Sequence, residues 1–201
     1  MTLASTLLGY VIGLPLGVIL IITRRDGIRQ NLAVNQVLGV IVNIMRSIPF
    51  LILMIAIIPF TRFVMGKSYG STATIVPLTM AAFPFISRMV ESSLAEVDGG
   101  VIEAAQAMGA TPLQIIRKVY IPEATPSLIS GAAIVATNIL GYSAMAGSVG
   151  GGGLGAIAIN YGYYRFNAEV MVVCIAIMVV LVQAMQLVGT RLSVQLDHRL
   201  R

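Results

Sequence analysis

The sequence predicts an all-α membrane protein with about five spanning helices and one short cytoplasmic helix pair. Three observations carry this. Only 10% of the 201 residues are charged and 57% are hydrophobic, where a soluble domain carries about 25% charged residues. The charges gather in clumps between long uncharged runs. One polar stretch, EAAQAMGATPLQIIRKVYIP from Glu103 to Pro122, interrupts the apolar pattern with the look of soluble helices. The same charge placement excludes nucleic acid as a partner. The net charge of +5 forms no continuous basic face, and there is no Trp for base stacking.

A spanning helix needs about 20 mostly apolar residues. Residues 1–23, 68–87, 124–164 and 170–190 hold no charge, and 30–61 hold only Arg46. The expected spans are 2–23, 36–60, 71–92, 125–146 and 168–190. The first run follows Met1 with no basic n-region and no small-residue cleavage site, so it reads as a retained helix rather than a signal peptide. Within it Gly9, Gly13 and Gly17 recur every four residues and offer one face for close helix packing. Pro15 should kink that helix. The run Gly147 to Gly155 is too glycine-dense for a regular helix and reads as a loop or a partly re-entrant segment.

Loop charge sets the orientation. Arg24, Arg25, Arg29, Arg88, Arg117, Lys118, Arg191, Arg199 and Arg201 fall on one side, and Arg62, Lys67 and Arg165 on the other. The positive-inside rule places the first group in the cytoplasm, the N-terminus outside and the C-terminus inside. The lone Cys174 lies in an apolar run and reads as packing; the lone His198 lies in a basic tail and reads as solvated.

The polar stretch resolves into two helices. Asp98 caps a helix over about Val101 to Met108, and Gly109 ends it. Thr111, Pro112 and Gln114 form the capping box of a second helix, which runs to about Ile121 before Pro122 breaks it. Asp98 and Glu103 are acidic where a lipid-surface helix would be basic. The stretch therefore reads as a docking element for a protein.

Glu103-Ala104-Ala105, Gly109 and Val119-x-Ile121-Pro122 resemble the EAA motif of ABC importer permeases, with Val119 and Ile121 in place of the usual Ile and Leu. The stretches Arg46 to Phe50, Ile75 to Thr79, Ala110 to Pro112, Gly141 to Met145 and Gly152 to Gly155 are similar to methionine importer permeases, so the resemblance covers essentially the whole chain. It implies a single type I ABC transmembrane domain over 1–201, with a coupling segment at 98–122. It implies docking on an ATPase through Glu103, Ala104, Ala105, Met108, Gly109 and Ala110. It implies a homodimer, two ATP-binding subunits, an external substrate-binding lipoprotein and the bacterial inner membrane. ATP–Mg would sit in the ATPase, with no cofactor in this chain. Typical members of the family also have a short piece before the position of Met1.

Asn138, Tyr142 and Met145 share one face of the fourth span by their spacing, and Ser143 adds a hydroxyl beside them. The resemblance supports Tyr142 and Met145 as lining the translocation path. Helix packing is the competing account of all four. Arg46 is the ionisable residue expected inside a span; it serves the path, or it is structural and either snorkels to the cytoplasmic face or pairs with backbone carbonyls near Pro49. Gly66-Lys67-Ser68 ends like a P-loop, but Thr61 stands where the first glycine is required, so it is a chance match. None of the eight acids falls at the middle of a span, which argues against an ion-coupled carrier. The alternatives to a methionine permease are a permease for another amino acid or small solute, and a passive channel or ion-coupled carrier.

Overall fold

The computed structural model describes residues 1–197. His198, Arg199 and Arg201 lie outside the described residues. The helices in order are α1 (Thr2–Thr23), α2 (Leu32–Ser47), α3 (Phe50–Ala56), α4 (Ile58–Met65), α5 (Ile75–Ala95), α6 (Gly99–Ala107), α7 (Pro112–Ile115), α8 (Ile121–Ala146), α9 (Gly153–Ile157) and α10 (Ala168–Leu196). No strand occurs among the described residues.

The helix α5 is the axis of the bundle. Leu78, Ala82, Ile86, Val90 and Leu94 recur every four residues, and each is 0% or 1% exposed. Against this stripe lies α1, through the glycine face. A Cβ built on Gly13 would stand 2.7 Å from Ile86 Cγ2 and 2.8 Å from the Phe83 carbonyl oxygen. The glycines therefore bring two helix backbones into contact, as their period of four predicts. Helix α1 runs unbroken through Pro15.

By length and composition, three helical segments suffice to cross a bilayer: Thr2–Thr23, Pro112–Val149 and Ala168–Leu196. The α2–α3 pair makes a fourth if taken as one span. The remaining expected span, α5, carries Arg88, Glu91, Pro77 and Pro84. It is packed against protein on α1, α2 and α8, so lipid does not dictate its composition.

Three expectations are corrected. The segment 36–60 is not one straight helix: α2 and α3 meet at a 100° bend. Ile48, the residue before Pro49, is extended at φ −80° and ψ 121°, the conformation that a following proline imposes. Pro122 does not break the helix. A π-helical turn over Ile116–Tyr120 joins α7 to α8, and the Ile121 N–H donates to the Ile116 carbonyl. Pro122 has no N–H to place, and the widened turn before it relieves the clash of its ring with the preceding turn. The glycine run is itself partly helical, against the expected loop: Gly147–Val149 forms a 3-10 turn, and α9 starts inside the run at Gly153 and continues into a π-helical turn over Ala158–Tyr163. The two loops at this end are tied together where the Gly70 N–H donates to the Gly150 carbonyl at 2.9 Å.

Candidate functional site

At one end of the bundle α6 and α7 form a rigid elbow. The Asp98 carboxylate accepts the Gly100 N–H at 2.7 Å and caps α6. At the other end the Ala110 N–H donates to the Ala105 carbonyl (3.1 Å) and the Gly109 N–H to the Gln106 carbonyl (2.9 Å). This is a Schellman pair, and it needs a left-handed residue; Gly109 supplies φ +78°. The capping box follows directly. The Thr111 N–H donates to Gln114 Oε1 at 2.8 Å, and the Gln114 N–H donates to Thr111 Oγ1 at 3.4 Å. The N–H groups from Met108 to Thr111 thus all have partners within the corner, which holds α6 against the start of the helix behind it.

Burial divides the elbow into a seat and a face. Ala105, Ile115 and Tyr120 are buried, and Ile102 and Ala110 pack beside them. Ala105 therefore seats α6 on the bundle, and its methyl is not part of the outward surface that the motif suggested. Glu103, Ala104 and Gly109 are exposed, and Met108 stands out at 82%. Sequence reasoning missed Val101 and Leu113, both exposed apolar side chains on the same elbow. The seven-residue spacing from Met108 was the available signal for Val101; Leu113 lies on α7, beyond the Gly109 corner, and had none. A cluster of exposed apolar residues at a polar end of a bundle is a surface that wants a protein partner.

The second candidate site lies at the α2–α3 bend. Phe50 opens α3 and stacks on Tyr142 of α8, with centroids 4.8 Å apart and planes within 7°. The Arg46 guanidinium stands 5.8 Å from the Phe85 ring of α5. Between them is a cavity of about 210 Å³, lined by Met45, Arg46, Phe50, Ala81, Phe85 and Tyr142 among others. Two residues 96 positions apart, Arg46 and Tyr142, thus meet in one space. Asn138 and Met145 are exposed on α8, Met145 at 50%. Ser143 is placed elsewhere. It is buried toward α1, where it accepts a hydrogen bond from Thr2 Oγ1 at 3.3 Å and donates to the Leu140 carbonyl at 2.8 Å. Packing accounts for it, and it does not share the Asn138–Met145 face.

Comparison with known proteins decides the family. Residues 9–201 match the family described as binding-protein-dependent transport system inner membrane component. The chain belongs to that family. This permease is 52% identical over 191 residues to the probable D-methionine transport system permease protein MetI of Vibrio cholerae, covering 95% of this chain and 85% of the relative. It is 54% identical over 147 residues to the D-methionine transport system permease protein MetI of Escherichia coli K12, covering 73% and 68%. Among solved structures it resembles the inward-facing MetNI methionine ABC transporter, with a TM-score of 0.97 at 50% identity, covering 98% of this chain and 92% of that one. An amino acid ABC transporter crystallised with histidines shares the fold, with a TM-score of 0.74 at 20% identity. The type I ABC importer permease fold and the inner-membrane transport role follow.

The remaining motifs of the permease find structural uses. Gly66 is the left-handed C-cap of α4, at φ 70°. Gly66-Lys67-Ser68 therefore follows a helix C-terminus, whereas a phosphate is held by the N–H groups of a helix N-terminus. Cys174 is buried at 3% exposure. The ion pair Arg88–Glu91, at 2.6 Å, was not foreseen. Arg88 also donates from Nη2 to the Gly39 carbonyl at 3.1 Å and so ties α5 to α2.

Proposed function

We propose that this permease imports methionine, in the D- or L-form or both, across the bacterial inner membrane by alternating access. Two copies form the pathway. Two separate ATPase subunits bind ATP–Mg and drive it, and an external lipoprotein delivers substrate to the loops near 62–70 and 147–168. The N-terminus lies outside and the C-terminus in the cytoplasm, which puts the elbow on the side of the ATPase. This chain needs no nucleotide site of its own. ATP-driven closure of the ATPase pair pushes on Glu103, Ala104, Met108 and Gly109. Gly109 and the capping box pass that displacement to α8 as a rigid movement, and α8 carries Asn138, Tyr142 and Met145 along the path.

The observation that carries this reading is the match to the methionine transporter permease over 98% of the chain at a TM-score of 0.97. The cavity between Phe50, Phe85 and Tyr142 supports it, since a thioether packs favourably against aromatic rings. The test is uptake into proteoliposomes that hold the permease, its ATPase subunit and the binding protein. Uptake of labelled methionine should require ATP and the ATPase subunit, and unlabelled methionine should outcompete other amino acids. Flux that persists without the ATPase would mark a passive channel. Competition led by another solute would reassign the substrate.

A further inference from the structure

We infer that Arg46 is the group in the permease that holds the carboxylate of the transported amino acid. This rests on the reading of the chain as an amino acid importer. Helix α2 begins at Leu32, just after the basic cluster Arg24, Arg25 and Arg29. Arg46 lies fourteen residues further on, about 21 Å along the axis, within a hydrocarbon core about 30 Å thick. At that distance along α2 the guanidinium does not reach the level of Arg24, Arg25 and Arg29, so snorkelling to that cluster does not account for it.

Arg88, the other arginine facing α2, is answered by the Glu91 carboxylate. The recorded partner of Arg46 is the face of Phe85. An Arg placed inside a membrane protein is costly unless a water-filled space or an opposite charge receives it. Arg46 is exposed and is one of the residues that line the cavity at the α2–α3 bend, so the side chain borders that space.

The cavity of about 210 Å³ is on the scale of one small solute rather than of a single water. The guanidinium stands 5.8 Å from the Phe85 ring, and its planar fork suits bidentate binding of a carboxylate. The Phe50–Tyr142 stack forms another wall, where an apolar side chain or thioether can lie. A zwitterionic amino acid presents both parts. Its alcohol analogue keeps the ammonium and the side chain, loses the carboxylate, and meets a bare positive charge.

The test uses the assembled transporter in proteoliposomes. An arginine-specific dicarbonyl reagent is applied, and labelling of the Arg46 peptide is read by mass spectrometry. Methionine should protect Arg46, and methioninol should not. ATP-driven methionine uptake by Arg46→Gln should fall tenfold or more, the loss expected when a charged hydrogen-bond pair is removed. Arg46→Lys, which keeps the charge but not the fork, should fall between Gln and wild type. Equal protection by methionine and methioninol, or none by either, would overturn the assignment, as would wild-type uptake by Arg46→Gln. Should Arg46→Gln fail to assemble, the labelling result on the wild-type complex decides alone. Failure of the wild-type complex to move methionine would instead defeat the substrate reading.

Discussion

Replacing Met108 by Glu should release the ATPase subunit. The side chain is 82% exposed at the tip of the elbow and supports nothing inside the permease, so the variant should fold and insert normally. In a docked complex that tip becomes desolvated. A carboxylate there is buried without a partner, beside the existing negative charge of Glu103. Central apolar anchors of an interface are worth about 2 kcal/mol or more on truncation, which is roughly a 30-fold loss in affinity, and an added charge deepens the loss. Co-purification of the two subunits, or direct binding of the ATPase to permease in nanodiscs, reads the effect. Wild-type affinity would show that the elbow tip lies outside the contact.

The second large effect lies in the bundle. Gly13→Leu should prevent recovery of a folded permease. Its Cβ alone would stand 2.7 Å from Ile86 Cγ2 and 2.8 Å from the Phe83 carbonyl oxygen, and three further carbons would follow. Ile86 is 0% exposed on the central helix, so it has nowhere to retreat. Overpacking costs about 1–3 kcal/mol when a neighbour can yield, and more where the obstacle is backbone. Gly99→Ala is the control, because a Cβ there meets nothing within 4 Å. Yield after membrane extraction and the thermal midpoint of the assembled complex should separate the two variants clearly.

Local, periodic features were the legible part of this sequence. The glycine stripe of α1 announces a close helix contact because a spacing of four fixes one face whatever lies opposite. Asp98, Gly109, Thr111 and Gln114 announce the elbow because each satisfies a backbone group a few residues away, and all four act as expected. The Pro49 bend was available through the residue before it, yet a hydropathy run hides bends, since α2 and α3 are both apolar. Pro122 misled for the opposite reason: a π turn, decided by packing of Tyr120 and Ile115 against the core, carries the helix past it. Ser143 was grouped with its neighbours by proximity in sequence, while the helix turns its hydroxyl to α1. The cavity was not legible at all. Arg46, Phe85 and Tyr142 come from three helices, and only the packing of α2, α5 and α8 brings them together.

The central claim is that the elbow converts ATPase closure into movement of the spans. The most direct measurement is the number of substrate molecules imported per ATP hydrolysed by transporters carrying Gly109→Val. Gly109 holds φ +78°, where a non-glycine residue costs about 1–2 kcal/mol and a β-branched one more. Glu103, Ala104 and Met108 keep their side chains, and the ratio is read on complexes in which both subunits co-purify and hydrolyse ATP, so a docking defect is scored separately. The account predicts that the ratio falls about tenfold, because strain of that size shifts the population of the correct elbow geometry by this factor. An unchanged ratio, with both subunits present and valine verified at the position, would contradict it.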